Sequence, residues 1–230
     1  MEVVHIPEVP LRPVSRTQDG TLQQQVYEEL RHSLMVGAFI PGQSVTLRSL
    51  AKRLGTSPMP IRQAINRLIA ERALEMLPNR SVVVPRMSRE KFAELSMLRQ
   101  TLEGMAASDA SSNAKPGLVQ KLEKINAELL RVVERRDVLR VLDLNQQFHF
   151  TIYEASTYQV LVPMIESLWL QAGPFMYFSL SGPSVRWSTS RHKETIAAIE
   201  AGDAEASRRA IEEDIGAMAD YLLENISFRA

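Results

Sequence analysis

The chain has no cysteine at any of its 230 positions. Disulfides, thiolate nucleophiles and cysteine-based zinc sites are therefore excluded. No run of eighteen apolar residues occurs, and no basic start leads into an apolar stretch. Neither a membrane span nor a signal peptide is indicated, and a cytoplasmic setting is expected. Internal repeats and low-complexity tracts are absent as well. Net charge is zero, with 27 Lys+Arg against 27 Asp+Glu. That balance conceals an asymmetry. Residues 1–86 hold 11 basic and 7 acidic side chains, whereas residues 87–230 hold 16 and 20. A basic amino-terminal part joined to an acidic remainder fits a nucleic-acid-binding domain fused to a second domain.

What the amino-terminal part does contain is a helical pattern around a break. Thr46 to Arg67 reads TLRSLAKRLGTSPMPIRQAINR. Leu47, Leu50, Ala51 and Leu54 form one apolar face, and Gly55 ends it. Ser57 is placed to cap the next helix, whose apolar face is Ile61, Ala64, Ile65 and Leu68. Spacing of i, i+3, i+4 and i+7 on both sides of a glycine-containing turn is the pattern of a helix-turn-helix. The outer face of the second helix keeps Met59, Arg62, Gln63, Asn66 and Arg67, which suit a groove of nucleic acid. An earlier helix is expected from Leu22 to Val36, with Val26, Leu30, Ser33 and Leu34 inward, before Gly37 and the Pro41-Gly42 turn. Further on, Leu74–Leu77 and Ser81–Pro85 read as two strands around Pro78-Asn79-Arg80, where Asn79 is expected to take the positive φ of a tight turn. Three helices and a hairpin make a winged helix-turn-helix over residues 21–86. Residues 1–20 carry Pro7, Pro10, Pro13 and Gly20 without a helical period, and are expected to be a mobile arm.

Residues 88–230 are helical in pattern throughout. The stretches are Ser88–Ser112, Lys115–Arg135, Asp137–Ser156, Gln159–Ser179, Ser188–Ala201 and Ala204–Ile226, broken at Pro116-Gly117, Asp137, Gly182-Pro183 and Gly202-Asp203. Pro174 is expected to kink or divide the fourth. Each stretch has an apolar face, which predicts an antiparallel six-helix bundle and a mostly α fold overall.

The segment VYEELRHSLMVGAFIPGQSVTLRSLAKRLGTSPMPIRQAINRLIAE resembles the winged-helix domain of GntR-type bacterial transcription regulators. LRQTLEGMAASDA, NQQFHF and RHKETIAAIEAGDAEAS, in that order, resemble the helical FCD-type effector domain of the FadR branch, in its shorter VanR-like variant. The resemblance implies a regulator on double-stranded operator DNA, more often a repressor, and the need to span two half-sites implies a homodimer. It implies Arg48 and Arg62 as the principal DNA-contacting side chains, with Ser57, Met59 and Pro60 at the recognition-helix N-terminus and the wing residues Asn79 and Arg80 near the minor groove. Physical chemistry agrees, since a helix N-terminus offers N–H groups to phosphate and arginine can grip N7 and O6 of guanine. Asn79 and Pro58 stand where the family often has Gly and Arg, so the operator sequence does not carry over.

Within the bundle segment, the histidines fall on apolar faces. His149 shares its face with Leu142, Asn145 and Ile152, and His192 lies above Ile196 and Ile199. Asp214 stands with Ala210, Ile211, Ala217, Met218 and Tyr221. A carboxylate in such company must be paired, protonated or metal-bound. Asn145 and His149 are i, i+4 and point the same way. His192 precedes Gly202 by ten residues and Asp214 follows it by twelve, so a helical hairpin sets them level. Four oxygen and nitrogen donors thus converge, and two imidazoles plus a carboxylate suit zinc, nickel or another first-row divalent ion, with positions left for water or an effector. The family resemblance points to the same four positions. Its metal-binding members usually carry Asp where this chain has Asn145 and a third His where it has Asp214. A metal-free hydrogen-bonded cluster is the other reading of these residues.

Arg99 leans inward between Leu95 and Leu102, with Glu103 one turn later. An intrahelical Arg99–Glu103 pair is one reading. The resemblance adds another, in which Arg99 grips the carboxylate of an organic-acid effector. The function expected is a transcription regulator modulated by such an effector. A metal-dependent enzyme using His149, His192 and Asp214 is the alternative from a different class, although no general base or nucleophile accompanies the three. A metal-free architectural DNA binder is a third.

Overall fold

The structure, a computed structural model, describes residues 11–14, 20–180 and 189–228. Its amino-terminal domain begins with α1 (Leu22–Met35), capped by Thr21, whose hydroxyl accepts from the Gln24 N–H at 3.2 Å. A two-residue strand β1 (Ser44–Val45) precedes α2 (Leu47–Leu54) and α3 (Pro58–Ala70). Thr46 caps α2 by accepting from the Ser49 N–H at 3.2 Å, and Gly55 closes it in the left-handed conformation at φ 66°. Val26, Leu30, Leu34, Leu50, Leu54, Ile61, Ile65 and Leu68 are buried together, each contributing about 1.5–3 kcal/mol relative to exposure. The predicted faces are the observed ones.

Strands β2 (Glu75–Met76) and β3 (Val82–Val83) form the wing, with Glu75 opposite Val83 and Met76 opposite Val82. β1 joins the other edge of β3, giving the antiparallel order β1-β3-β2. This third strand was not expected. It is too short to show alternation, and its partner lies almost forty residues further along the chain. The turn also corrects an expectation: the positive φ falls on Arg80, at 64°, rather than on Asn79. Asn79 instead accepts the Ser81 N–H at 3.0 Å through its side-chain oxygen, which holds the wing tip by a local side-chain turn.

The second domain is a bundle of α4 (Arg89–Ser112), α5 (Leu118–Glu134), α6 (Val138–Tyr153), α7 (Leu161–Met176), α8 (Ser190–Ala201) and α9 (Ala204–Asn225). Pro174 does not divide the fourth of these helices. α7 runs through it to Met176 and then tightens into a 3-10 turn, Tyr177–Ser179. The Gly182-Pro183 break and the expected helix start at Ser188 lie outside the described residues. α4 is the central helix. Ala106, Ala107 and Ala110 are fully buried in it, and a Cβ at Gly104 would stand 2.8 Å from Glu212 Oε1 of α9. Small residues thus bring α9 close enough for Ser207 Oγ to donate to the Ala107 carbonyl at 3.2 Å. α8 and α9 form the anticipated hairpin, turning at Gly202 (φ 68°) with Asp203 capping α9.

The two domains meet where α1 lies on α7. Gly173 makes this possible, because a Cβ there would overlap the Leu34 carbonyl and stand 2.6 Å from that of Met35. Around this contact Arg31 pairs with Glu166 at 2.8 Å, and His32 Nε2 stands 3.0 Å from Asp143 Oδ1 of α6. Of the expected mobile arm, residues 1–10 and 15–19 lie outside the described residues, but residues 11–14 are packed. Leu11 is buried, the Arg12 N–H donates to Glu29 at 2.8 Å, and the Val14 N–H donates to the Leu54 carbonyl at 3.1 Å.

Candidate nucleic-acid interface and metal centre

The core stripe of α3 turns the opposite side of that helix outward. Arg62, Gln63 and Asn66 are exposed, as is Met59 at 63%. Arg48, near the start of α2, is exposed beside them, and so are Asn79 and Arg80 on the wing. The side chains of Arg48, Arg62 and Arg80 make no ion pair or hydrogen bond among the described residues. Three unpaired cations on a helix pair and its wing form the electrostatic footprint that a polyanion requires.

Of the expected contacts, Pro60 is corrected, and Arg67 and Ser57 take the following positions. Arg67 is not free: its Nε stands 3.1 Å from Glu71 Oε1, and its guanidinium carbon lies 3.6 Å from the centre of the Tyr27 ring. Tyr27 in turn donates to Glu71 at 2.8 Å. Burial, and then the hydrogen bond to Glu71, push this phenol up to about 12. Arg67 therefore fastens α3 to α1. Pro60 is buried and shapes the first turn instead of facing a groove. Ser57 occupies the N-cap position, yet its hydroxyl accepts no helix N–H. Because Pro58 and Pro60 lack an N–H, the start of α3 offers a phosphate only the Ser57 and Met59 amides of the usual four. The helix terminus is a weaker anion site than expected.

The bundle does bring its predicted polar residues together. His149 on α6, His192 on α8 and Asp214 on α9 converge between the helices, and Asn145 lies one turn before His149 on α6. One donor atom from each of His149, His192 and Asp214 lies within 4.8 Å of the others. His149 Nε2 stands 3.2 Å from Asp214 Oδ2. Both imidazoles are about 1% exposed, while Asp214 keeps 24% of its side chain accessible, so solvent reaches the centre from the α9 side.

The other ring nitrogens fix which atom each histidine presents. His192 Nδ1 lies 3.3 Å from Asn126 Oδ1 of α5, an acceptor, so the proton belongs on Nδ1 and the Nε2 lone pair is free. That buried Nε2 has no partner among the described residues, and neither has the buried Oδ1 of Asn145. His192 stacks on Phe148 at 3.9 Å between ring centres. Burial pushes its imidazole down to about 4, against the opposing pull of Asp214. Burial alone would raise the Asp214 carboxyl. The hydrogen bond to His149 and the nearby charges of His149, His192 and Arg99 outweigh that and hold it below the ordinary carboxylate value. An orphaned buried imidazole nitrogen beside a second imidazole and an ionised carboxylate forms a donor set that fits a divalent cation.

Arg99 is buried and forms the intrahelical pair: its Nε donates to Glu103 Oε1 at 2.8 Å. Its guanidinium carbon lies 4.6 Å from the centre of the Trp169 ring. The terminal nitrogens hydrogen-bond to no group among the described residues. Asn126, Tyr153 and Trp169 were not anticipated as members of the site. Asn126 had a signal, since it interrupts the apolar stripe of Leu122 and Leu129 on α5. The two aromatics had none, being indistinguishable in sequence from ordinary core.

A winged helix with outward cations, joined to an all-helical bundle that encloses a polar centre, defines a two-domain DNA-binding regulator of transcription. The profile described as "Bacterial regulatory proteins, gntR family" matches residues 22–84, and that of the FCD domain matches residues 94–217. HTH-type transcriptional regulator McbR of Escherichia coli (strain K12) is 31% identical over 196 residues, which are 84% of this chain and 89% of that protein. HTH-type transcriptional repressor RspR of the same strain is 24% identical over 191 residues, covering 83% of this chain and 84% of its own. The solved structure of E. coli McbR/YncC superposes with a TM-score of 0.82 at 28% identity, over 89% of this chain and 98% of that one. The chain belongs to the gntR family of bacterial regulatory proteins and carries an FCD domain. These relatives are regulators of transcription, a repressor among them, and not enzymes. No helix among the described residues is long and apolar enough to cross a membrane.

Proposed function

We propose that the chain is a cytoplasmic repressor that binds operator DNA as a homodimer and responds to a small organic carboxylate at a divalent metal in its bundle. The observation that carries the metal is the convergence of His149, His192 and Asp214, with His192 Nε2 buried and unpartnered; Asn145, one turn before His149 and with its own Oδ1 unpartnered, is the fourth donor of this reading. Zinc and nickel match this mixed nitrogen and oxygen donor set. Such an ion supplies positive charge to which a carboxylate effector and water can be ligated. The chain's own contribution is positional. Asn126 aims His192, Tyr153 aims His149, and the unpaired end of Arg99 offers a second, charge-assisted grip for the effector.

On the DNA side, Arg48 and Arg62, with Met59 and the Met59 amide, face the major groove, and Asn79 and Arg80 reach the adjacent minor groove. Effector binding alters the spacing of the two winged domains over their half-sites. The test is fluorescence anisotropy on an operator selected from a random duplex pool, combined with elemental analysis of the purified chain. Zinc or nickel near one per chain, and operator affinity shifted at least fivefold by small di- or tricarboxylates, support the reading. The 3.2 Å approach of His149 to Asp214 also favours a metal-free state in which a proton joins them. Absence of metal, with no ligand-induced change in melting, would leave that state as the resting one and remove the metal from the function.

A further inference from the structure

One fully buried charged side chain of the bundle is not used directly by the proposed metal centre. Glu103 of α4 is 0% exposed. Its Oε1 accepts from Arg99 Nε at 2.8 Å, and its Oε2 accepts from the Tyr153 hydroxyl at 2.6 Å and from Trp169 Nε1 at 2.9 Å. All three partners donate and none accepts. A carboxylate meets that demand, whereas an amide brings two N–H groups with nowhere to go. The arrangement therefore requires the charge, not merely the shape.

The relay then continues. A tyrosine hydroxyl has one proton, and Tyr153 has given it to Glu103. Toward His149 Nδ1, 2.9 Å away, it can only accept. The Nδ1 position of His149 must therefore carry a proton, which leaves Nε2 as the nitrogen turned toward Asp214. On its other side, Glu103 takes the Nε edge of Arg99 and leaves the terminal nitrogens uncommitted.

We propose that Glu103 is a positioning residue that, through Tyr153, fixes the ring nitrogen His149 offers to a metal and, directly, fixes the edge Arg99 offers to an anionic ligand. This rests on the reading of the centre as a metal site, and it adds that the metal and anion halves are set by one buried charge. Removing the tyrosine hydroxyl frees the imidazole to present either nitrogen. Replacing Glu103 by glutamine sets an amide N–H against either Arg99 Nε or the Tyr153 and Trp169 donors, so that one side of the relay loses its acceptor.

The experiment uses the full chain, stripped of metal, and measures zinc affinity by chelator competition together with imidazole 15N and N–H spectra. The variants are Tyr153→Phe, which keeps the ring, and Glu103→Gln. In the parent chain one slowly exchanging Nδ1–H is expected from His149. In Tyr153→Phe that proton is expected to exchange fast, with zinc bound about 10- to 100-fold more weakly, the usual cost of losing such a partner. Glu103→Gln is expected to lose at least as much. If it fails to fold, Tyr153→Phe alone decides. Zinc affinity within twofold of the parent and an unchanged Nδ1–H signal in Tyr153→Phe would overturn the relay. A parent chain that shows the protected Nδ1–H yet binds no zinc would instead overturn the metal reading, and with it the tuning assigned to Glu103.

Discussion

Two arginines of the recognition helix, five residues apart, should fail in opposite ways when removed. Five helical steps separate Arg62 from Arg67 by about 140° around the axis, which is why one faces solvent and the other faces α1. Arg62 is exposed and unpaired. Arg62→Ala removes no protein contact, so the melting midpoint should stay within about 1 °C of the parent. If the side chain reads a guanine edge it contributes about 1–3 kcal/mol, or roughly 5- to 150-fold in operator affinity. If it holds a phosphate, the loss is similar across sequences and the salt dependence of log K falls by about one unit. Arg67 is 53% exposed, pairs with Glu71 and covers the Tyr27 ring. After discounting for solvent, the ion pair is worth about 0.3–0.5 kcal/mol and the ring contact about 0.5–1. Arg67→Ala should thus cost about 1 kcal/mol, or roughly 2–4 °C for a chain of this size, with operator affinity near that of the parent. Anisotropy from about 50 to 200 mM salt and a thermal melt of each variant decide the matter. Equal losses of affinity in both variants, with both melts unchanged, would refute the assignment of directions.

Other substitutions probe the frame. Gly173→Ala places a Cβ against the Leu34 and Met35 carbonyls, and overpacking on backbone costs about 1–3 kcal/mol. Its melt should fall by several degrees although no DNA-facing residue changes, and an unaltered melt would show that the α1–α7 seam is looser than described. Thr46→Ala should cost about 1 kcal/mol through the lost α2 cap, whereas Ser57→Ala should stay within about 0.5 kcal/mol because its hydroxyl caps nothing. Urea denaturation of each variant separates the two. For His192, the folded value of about 4 lies below the ordinary 6.5, so the unfolded chain binds the proton more readily. Its contribution is therefore present above pH 6.5 and is lost as pH falls toward 4, by about 3 kcal/mol in the metal-free chain. Denaturation curves of the parent and His192→Gln should differ in slope over that window, and parallel pH profiles would sink the claim.

The helix-turn-helix was legible because burial writes itself into spacing. Leu50 and Leu54, then Ile61, Ala64, Ile65 and Leu68, point one way and are buried. The hairpin count around Gly202 was legible for the same reason, and it placed His192 level with Asp214. What escaped was decided by partners distant in sequence. β1 exists because β3 is there to pair with it. Arg67 lay on the outward list until Tyr27, forty residues earlier, took its guanidinium. The wing turn placed its positive φ one residue later than the residue type suggested, since Asn79 gained more by bonding the Ser81 amide. The polar partners of the centre escaped because Tyr153 and Trp169 pack as core and bond as ligand holders at once, a double role that periodicity does not distinguish.

The same helix that supplies Asn145 and His149 to the centre supplies Asp143 to the domain joint. Asp143 is 7% exposed, and besides His32 of α1 it receives Arg140 at 2.5 Å and Gln147 at 3.1 Å. Burial tends to raise its carboxyl, but the close approach of His32, the hydrogen bond from Gln147 and the charge of Arg140 outweigh this and hold it low. Arg140 is itself tied to Glu128 of α5. α6 is therefore gripped at one end by the winged domain and along its inner face by the polar centre. Under the proposed function, a ligand that shifts this helix of sixteen residues as a body is expected to move the carboxylate that α1 holds. Close packing at Gly173 leaves α1 little room to absorb such a shift by deformation. Displacement of α1 then carries α3, which Arg67, Glu71 and Tyr27 bind to it. The coupling needs no long pathway. One helix at the joint contacts both partners, so under the proposed function a ligand that prefers one of its positions is expected to change where the recognition helix lies.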